Sequence, residues 1–284
     1  LFVLSASLAF AQGNAPELNI WPGTAPGEDA AKPATKGVAS PSIFLFQPEK
    51  KTSDSCMVIC PGGAYMGLAI DHEGWKIAQF YNSKGMTAVV LKYRVPRRYP
   101  EPNRKHIAAW QDVQRAVRVV RSHAGEWRFD PEKIGITGFS AGGHLTLMAA
   151  TSSQTPAYEP VDELDKTVPC HVNFAVPVYP AYVLEDGNNG PNAGKGNDSA
   201  LVKDFAFDAK TPPMCLIHGD GDGYSPMGSV AVYHKLRTMK LPAELHIYAK
   251  VGHGFGANPT LDPNNHHVGD WLNRAYEAIK AFGF

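Results

Sequence analysis

The stretch Lys133-Ile134-Gly135-Ile136-Thr137-Gly138-Phe139-Ser140-Ala141-Gly142-Gly143-His144-Leu145-Thr146-Leu147-Met148-Ala149-Ala150 decides the fold. Its first seven residues read as an apolar strand, and Ala141 to Ala150 as a helix. At the junction, Gly138-Phe139-Ser140-Ala141-Gly142 fits G-x-S-x-G. That pattern sets a serine on a sharp strand-to-helix turn, its hydroxyl raised at the carboxyl end of a sheet. A Gly-rich turn with an incidental serine has the same local pattern, so the rest of the chain must discriminate.

Working outward, short apolar runs alternate with amphipathic stretches of helical length. Ile43 to Phe46 and Met57 to Cys60 read as strands, and Glu73 to Ser83 as a helix closed by Gly85. Met86 to Tyr93 is a near-continuous apolar run, the type buried on both faces of a parallel sheet. Asn103 to Trp127 predicts one long helix with Ile107, Trp110, Val113, Val117 and Val120 on its apolar face. Arg115, Arg118 and Arg121 fall mainly on the other face, where a solvated charge stripe is expected. Val172 to Tyr179, Pro213 to Gly219 and Ala243 to Ala249 are further strands. A helix opens at Ser225-Pro226, with Ser225 as N-cap, and another runs from His266 to Phe282.

No linker is long enough to divide this alternation. It predicts a single α/β domain over residues 41–284, a mostly parallel, doubly wound sheet flanked by helices, after an N-terminal segment at 12–40. Glu185 to Asp198, rich in Gly and Asn, reads as an irregular insert over the site. Its Gly194-Lys195 pair lacks the preceding glycine and the following hydroxyl residue of a phosphate loop.

A serine hydroxyl needs a base to become a nucleophile, and the base needs an acid to orient it. After a G-x-S-x-G turn of this kind the chain order is Ser, then Asp or Glu, then His. His218-Gly219-Asp220-Gly221-Asp222 follows a strand, so either aspartate can serve. Val251-Gly252-His253-Gly254-Phe255 follows the last strand, and its flanking glycines let His253 reach over Ser140. His218, His246, His266 and His267 lie within or beside strand and helix patterns and are expected to pack or face solvent. The oxyanion donors are expected from the N–H of Ala141 and from Gly63 and Ala64, with Gly62 in support, in Pro61-Gly62-Gly63-Ala64-Tyr65.

Lys plus Arg and Asp plus Glu each number 27, so the formal charge is +0 and no global field draws in nucleic acid or an anionic membrane. Residues 1–11, LFVLSASLAFA, are uncharged and end in an A-x-A pattern. They predict a signal peptide remnant, hence a secreted or periplasmic protein, because the run is too short to span a bilayer. Four Cys make no disulfide scaffold at this length, and buried free thiols are expected. No C-x-x-C or H-E-x-x-H spacing occurs, so neither metal nor cofactor is called.

Taken together, PGGAY at Pro61 to Tyr65, DHEG at Asp71 to Gly74, VLKYRVP at Val90 to Pro96, DVQRAVRVVRSHA at Asp112 to Ala124, GFSAGGH at Gly138 to His144, HGDGD at His218 to Asp222 and GHGFG at Gly252 to Gly256 give the chain a family likeness. It resembles the α/β-hydrolase carbohydrate esterases of the acetylxylan and feruloyl esterase type. The resemblance implies Ser140 as nucleophile, His253 as base and Asp222, rather than Asp220, as acid. It further implies a serine esterase releasing short acyl groups, acetyl foremost, from xylan-type carbohydrate. A prolyl oligopeptidase-type peptidase or an inactive binding protein on the same fold are the alternatives. Members of the group commonly carry a third glycine where this chain has Ala64, which matters if that residue needs a positive φ. Tyr65 and Tyr224 are expected to line the site and offer flat faces to a sugar ring or acyl group. In Asp71-His72-Glu73 the acidic residues are read first as a helix N-cap and dipole partner, and second as sugar contacts.

Overall fold

Eight strands form one sheet. They are β1 (Glu17–Asn19), β2 (Ser42–Phe46), β3 (Cys56–Cys60), β4 (Thr87–Lys92), β5 (Ile134–Phe139), β6 (Phe174–Val178), β7 (Met214–Gly219) and β8 (Ala243–Tyr248), in the order β1-β2-β4-β3-β5-β6-β7-β8. The computed structural model describes residues 15–28, 37–38, 40–96, 106–185, 200–257 and 266–284. β1 and β2 pair antiparallel, β2 joins β4 antiparallel, and every pairing from β4 to β8 is parallel.

The helices are α1 (Lys76–Ser83), α2 (Ile107–Ser122), α3 (Ala124–Trp127), α4 (Ala141–Thr151), α5 (Glu163–Thr167), α6 (Met227–Thr238) and α7 (Trp271–Ala281). Side chains of α2, α4 and α6 pack into the core layer on one face of the sheet, and those of α1 and α7 into the layer on the other. With both faces covered, β3, β5, β6 and β7 are buried along their whole length. That is why they read as continuous apolar runs rather than alternating ones. A parallel sheet also brings the carboxyl ends of its strands to one edge, where ligands of open α/β sheets bind.

Several sequence expectations need correction. The predicted helix to Trp127 breaks at His123 (φ −94°, ψ 7°), whose Nδ1 bonds the Val119 carbonyl at 2.8 Å; its residues 103–105 lie outside the described set. The arginines of α2 are not a solvated stripe. Arg115 is buried and reaches Asp162 at 2.6 Å, Asp165 at 2.9 Å and the Ile20 carbonyl at 2.7 Å. Arg121 donates to the carbonyls of Pro131, Pro169 and His171, and Arg118 to that of Val168. A helix wheel cannot show that α5 and its flanking loops fold back over this face. The helix after Ser225 starts one residue late, with Pro226 at the N-cap, and β1 and α5 were too short to stand out from sequence.

All four cysteines are free and buried. No helix among the described residues is long and apolar enough to cross a membrane. The signal peptide remnant expected at 1–11 and residues 186–198 of the insert fall outside the described residues.

Candidate active site

Ser140 sits between β5 and α4 at φ 54°, ψ −116°, a conformation that costs a non-glycine residue about 1–3 kcal/mol. The surroundings hold it there. Its N–H donates to the Val178 carbonyl at 3.1 Å, and its own carbonyl accepts from His144 N–H at 3.0 Å and Ala181 N–H at 3.1 Å. Any side chain at Gly142 would collide with the Cys60 carbonyl oxygen, so only glycine lets α4 lie this close to the end of β3.

His253 stands on the loop after β8. Its Nε2 is 2.7 Å from Ser140 Oγ and its Nδ1 is 2.7 Å from Asp222 Oδ2. Asp222 follows β7 with its side chain fully buried, whereas Asp220 is exposed. The Tyr224 N–H donates to Asp222 Oδ1 at 2.7 Å. His218 Nε2 lies 3.5 Å from Asp222 Oδ2 and 3.1 Å from the Tyr224 carbonyl, and its Nδ1 bonds Ser229 Oγ at 2.8 Å. Burial alone would raise the Asp222 pKa, but hydrogen bonds from His218 and His253 outweigh it and hold the carboxyl below its usual range. An ionised Asp222 accepts only, which puts the His253 proton on Nδ1 and leaves Nε2 to accept from the serine hydroxyl.

The loop after β3 bends with Gly63 at φ 134°, Ala64 at φ 55° and Tyr65 at φ 56°. It packs directly on the Ser140 turn, since a Cβ at Gly62 would lie 3.1 Å from that of Ser140. Ala141 opens α4, so its N–H has no acceptor within the helix. Ala64, where the resemblance leads one to expect a third glycine, does take a positive φ, at a cost of about 1–2 kcal/mol.

Tyr65 is a correction. It is 2% exposed and its hydroxyl bonds His144 Nδ1 at 2.8 Å, so it anchors the loop to α4 instead of facing a ligand. Tyr224 is half-buried with its ring 4.8 Å from that of His253 and 5.8 Å from that of Tyr182. Asp71 is not an N-cap either. Ile70 takes that position, and Asp71 forms a surface pair with Lys76 at 3.4 Å. Glu73 is buried beneath the Gly62 loop, bonded to Gly62 N–H and to the Tyr179 hydroxyl. Sequence reading missed Tyr179, Tyr182, the bonds of Glu73 to Gly62 and Tyr179, and the role of His218 beside Asp222. Their one signal was position, since Tyr179 and His218 stand at the carboxyl ends of parallel strands.

Cys215, Glu244 and His246 bring one ligand atom each within 4.8 Å of one another on β7 and β8. His246 Nε2 already pairs with Glu244 at 2.6 Å, and burial pushes the Cys215 thiol well up, against the thiolate a metal would need.

A mostly parallel sheet with a strained serine between strand and helix, bonded to a histidine that is itself bonded to an aspartate, both from beyond later strands, defines an α/β hydrolase. Residues 43–204 match the BD-FAE family. The protein belongs to that family. It is 28% identical over 247 residues to an acetylxylan esterase of Xylanibacter ruminicola, covering 81% of this chain and 47% of the relative. Its identity to endo-1,4-beta-xylanase B of Butyrivibrio fibrisolvens is 26% over 224 residues, covering 75% and 34%. The chain thus spans less than half the length of these relatives. Among solved structures, an acetyl ester-xyloside bifunctional hydrolase from Caldicellulosiruptor lactoaceticus superposes with a TM-score of 0.76 at 25% identity, covering 95% of this chain and 97% of that one. Thermogutta terrifontis esterase 2 shares the fold at a TM-score of 0.71 and 21% identity, covering 96% and 97%.

Proposed function

We propose that this chain is a serine esterase that removes short acyl groups, acetyl foremost, from xylan-type polysaccharide or oligosaccharides through an acyl-enzyme, and that it works outside the cytoplasm. The observation that carries this is the unbroken hydrogen-bond chain from Asp222 through His253 to Ser140, 2.7 Å at each link, on a strained strand-to-helix turn.

His253 Nε2 takes the hydroxyl proton as Ser140 Oγ attacks the ester carbonyl, and Asp222 stabilises the imidazolium that forms. The carbonyl oxygen becomes an oxyanion, received by the N–H groups of Ala141, Gly63 and Ala64, each such donor contributing about 3–4 kcal/mol to the barrier reduction. His253 then returns its proton to the leaving sugar oxygen. Water, deprotonated by the same imidazole, releases the acid and restores Ser140.

The names of the Xylanibacter ruminicola and Caldicellulosiruptor lactoaceticus relatives support an acetylated xylan-type substrate. A neutral sugar ester needs no electrostatic steering, in keeping with the formal charge of +0. The apolar LFVLSASLAFA stretch supports export. Ser140→Ala is expected to abolish hydrolysis of an aryl acetate while leaving thermal unfolding unchanged, and undiminished turnover overturns the assignment. Acetylated xylan assayed beside feruloylated oligosaccharide tests the acyl preference.

A further inference from the structure

Glu73, on the π-helical turn Asp71–Trp75, is 3% exposed. Its one ion-pair contact among the described residues is the His72 imidazole, 3.8 Å from Oε1. A buried carboxylate is costly unless its oxygens are well bonded, and a neutral side chain would fill the same space without that cost. Its partners explain why a carboxylate is kept. Oε2 accepts the Gly62 N–H at 2.8 Å, and Oε1 accepts the Tyr179 hydroxyl at 2.7 Å. The Tyr179 oxygen in turn accepts the Gly256 N–H at 2.9 Å, which commits its own proton to Glu73.

Gly62 precedes Gly63 in the donor loop, and Gly256 lies three residues after His253. These loops leave β3 and β8, which stand four places apart in the sheet. The bonds therefore join two distant strand ends above Ser140. Packing repeats the connection: a Cβ at Gly62 would lie 2.7 Å from Glu73 Oε2, and one at Gly256 3.1 Å from Glu73 Cγ. The Ala257 N–H donates to the His72 carbonyl at 2.9 Å, and Trp271 Nε1–H to that of Gly256 at 2.8 Å. The Tyr179 ring lies 4.9 Å from that of His253.

We propose that Glu73 is a positioning residue that fixes the spacing between the oxyanion loop and the His253 loop, through Gly62 on one side and Tyr179 to Gly256 on the other. This rests on the esterase reading. Both donors point at the carboxylate, so an amide of equal size can accept from only one, and the other connection is weakened.

The test compares Glu73→Gln, Tyr179→Phe and the double variant with the full chain, on an aryl acetate, with active sites counted by organophosphate labelling. Glu73→Gln is expected to lower kcat per site by about tenfold or more while KM moves less than about threefold, because a misplaced group costs the transition state more than it costs the ground state. Tyr179→Phe is expected to give a smaller loss. The double variant should match Glu73→Gln within about twofold, since both changes cut one connection. The rate at which an organophosphate labels Ser140, read by intact mass, should fall in parallel. A merely structural role lowers Tm and the number of labelled sites but leaves kcat per site and KM at wild-type values, and that result overturns the proposal. Should Glu73→Gln yield no folded protein, Tyr179→Phe decides alone: kcat per site reduced at unchanged KM supports the proposal, and unchanged kcat overturns it. If the wild-type chain neither hydrolyses esters nor is labelled, the esterase reading itself fails. If it does both and the variants equal it per site, the positioning role alone fails.

Discussion

Asp222→Asn alters charge and donor polarity at the acid of the proposed triad without altering its shape. The Asp222 side chain is fully buried, with Oδ1 accepting the Tyr224 N–H and Oδ2 the His253 Nδ1–H, each at 2.7 Å. An amide can accept from one of these donors only. With its oxygen toward Tyr224, the NH2 group meets Nδ1, and the imidazole must carry its proton on Nε2, facing Ser140, where it cannot act as a base. The reverse orientation restores the working tautomer but buries an amide NH2 against the Tyr224 N–H, at about 1–3 kcal/mol. That form still lacks a negative charge beside the developing imidazolium, which is worth about 4 kcal/mol at 4 Å and an effective dielectric constant near 20. Together these give about 5–7 kcal/mol, or a fall in kcat of roughly ten-thousand-fold.

The assay is aryl acetate hydrolysis per folded molecule, followed beside thermal unfolding across pH. Because the Asp222 carboxyl is held below its ordinary range in the folded state, its stabilisation is present above the unfolded value of about 3.9 and is lost as pH falls through the folded value. The Tm gap between wild type and Asp222→Asn should therefore be wide at neutral pH and narrow in acid. A kcat loss under about tenfold would falsify the role given to Asp222, whatever the stability data show.

Two further outcomes follow from the loop and its anchor. Ala64→Gly removes a Cβ from a residue at φ 55°, and after the extra unfolded-state entropy of glycine it should stabilise by up to about 1 kcal/mol, or about 2–4 °C in Tm; a lower Tm contradicts the strain. Burial, reinforced by His106, pushes the His144 pKa well below its ordinary value. The unfolded chain then binds a proton the folded chain refuses, so stability falls as pH drops below about 6.5, by up to about 1.4 kcal/mol per pH unit, until the folded value is reached. His144→Gln should flatten that slope in chemical denaturation, and identical slopes refute it.

Much of the architecture was readable because hydrophobic period and turn chemistry are local. Runs such as Met57 to Cys60 and Met86 to Tyr93 announce buried strands, and Gly138 to Gly142 announces the turn that raises Ser140. The order serine, aspartate, histidine could be read in the same way, and the resemblance to known esterases pointed to Asp222 over Asp220. Burial was harder to read, because it depends on segments that return from elsewhere. Arg115 looks like a surface charge until Asp162, 47 residues away, closes over it. Tyr65 and Tyr224 look alike in sequence, yet one is tied to His144 in the core and the other flanks His253.

Chain order and residue type were enough to nominate Ser140, His253, the glycine loop and the pair Asp220 and Asp222, between which the resemblance chose Asp222. They carry no distances. Ser140 and His253 are 113 residues apart along the chain and come within a hydrogen bond only because the parallel sheet turns the carboxyl ends of β3, β5, β7 and β8 to one edge. Glu73 acquires its partners in the same way. An acidic residue at a helix start has an adequate local explanation in the helix dipole, and nothing nearby in sequence reveals that Gly62 and Tyr179 will both direct donors at it once the strands are in place.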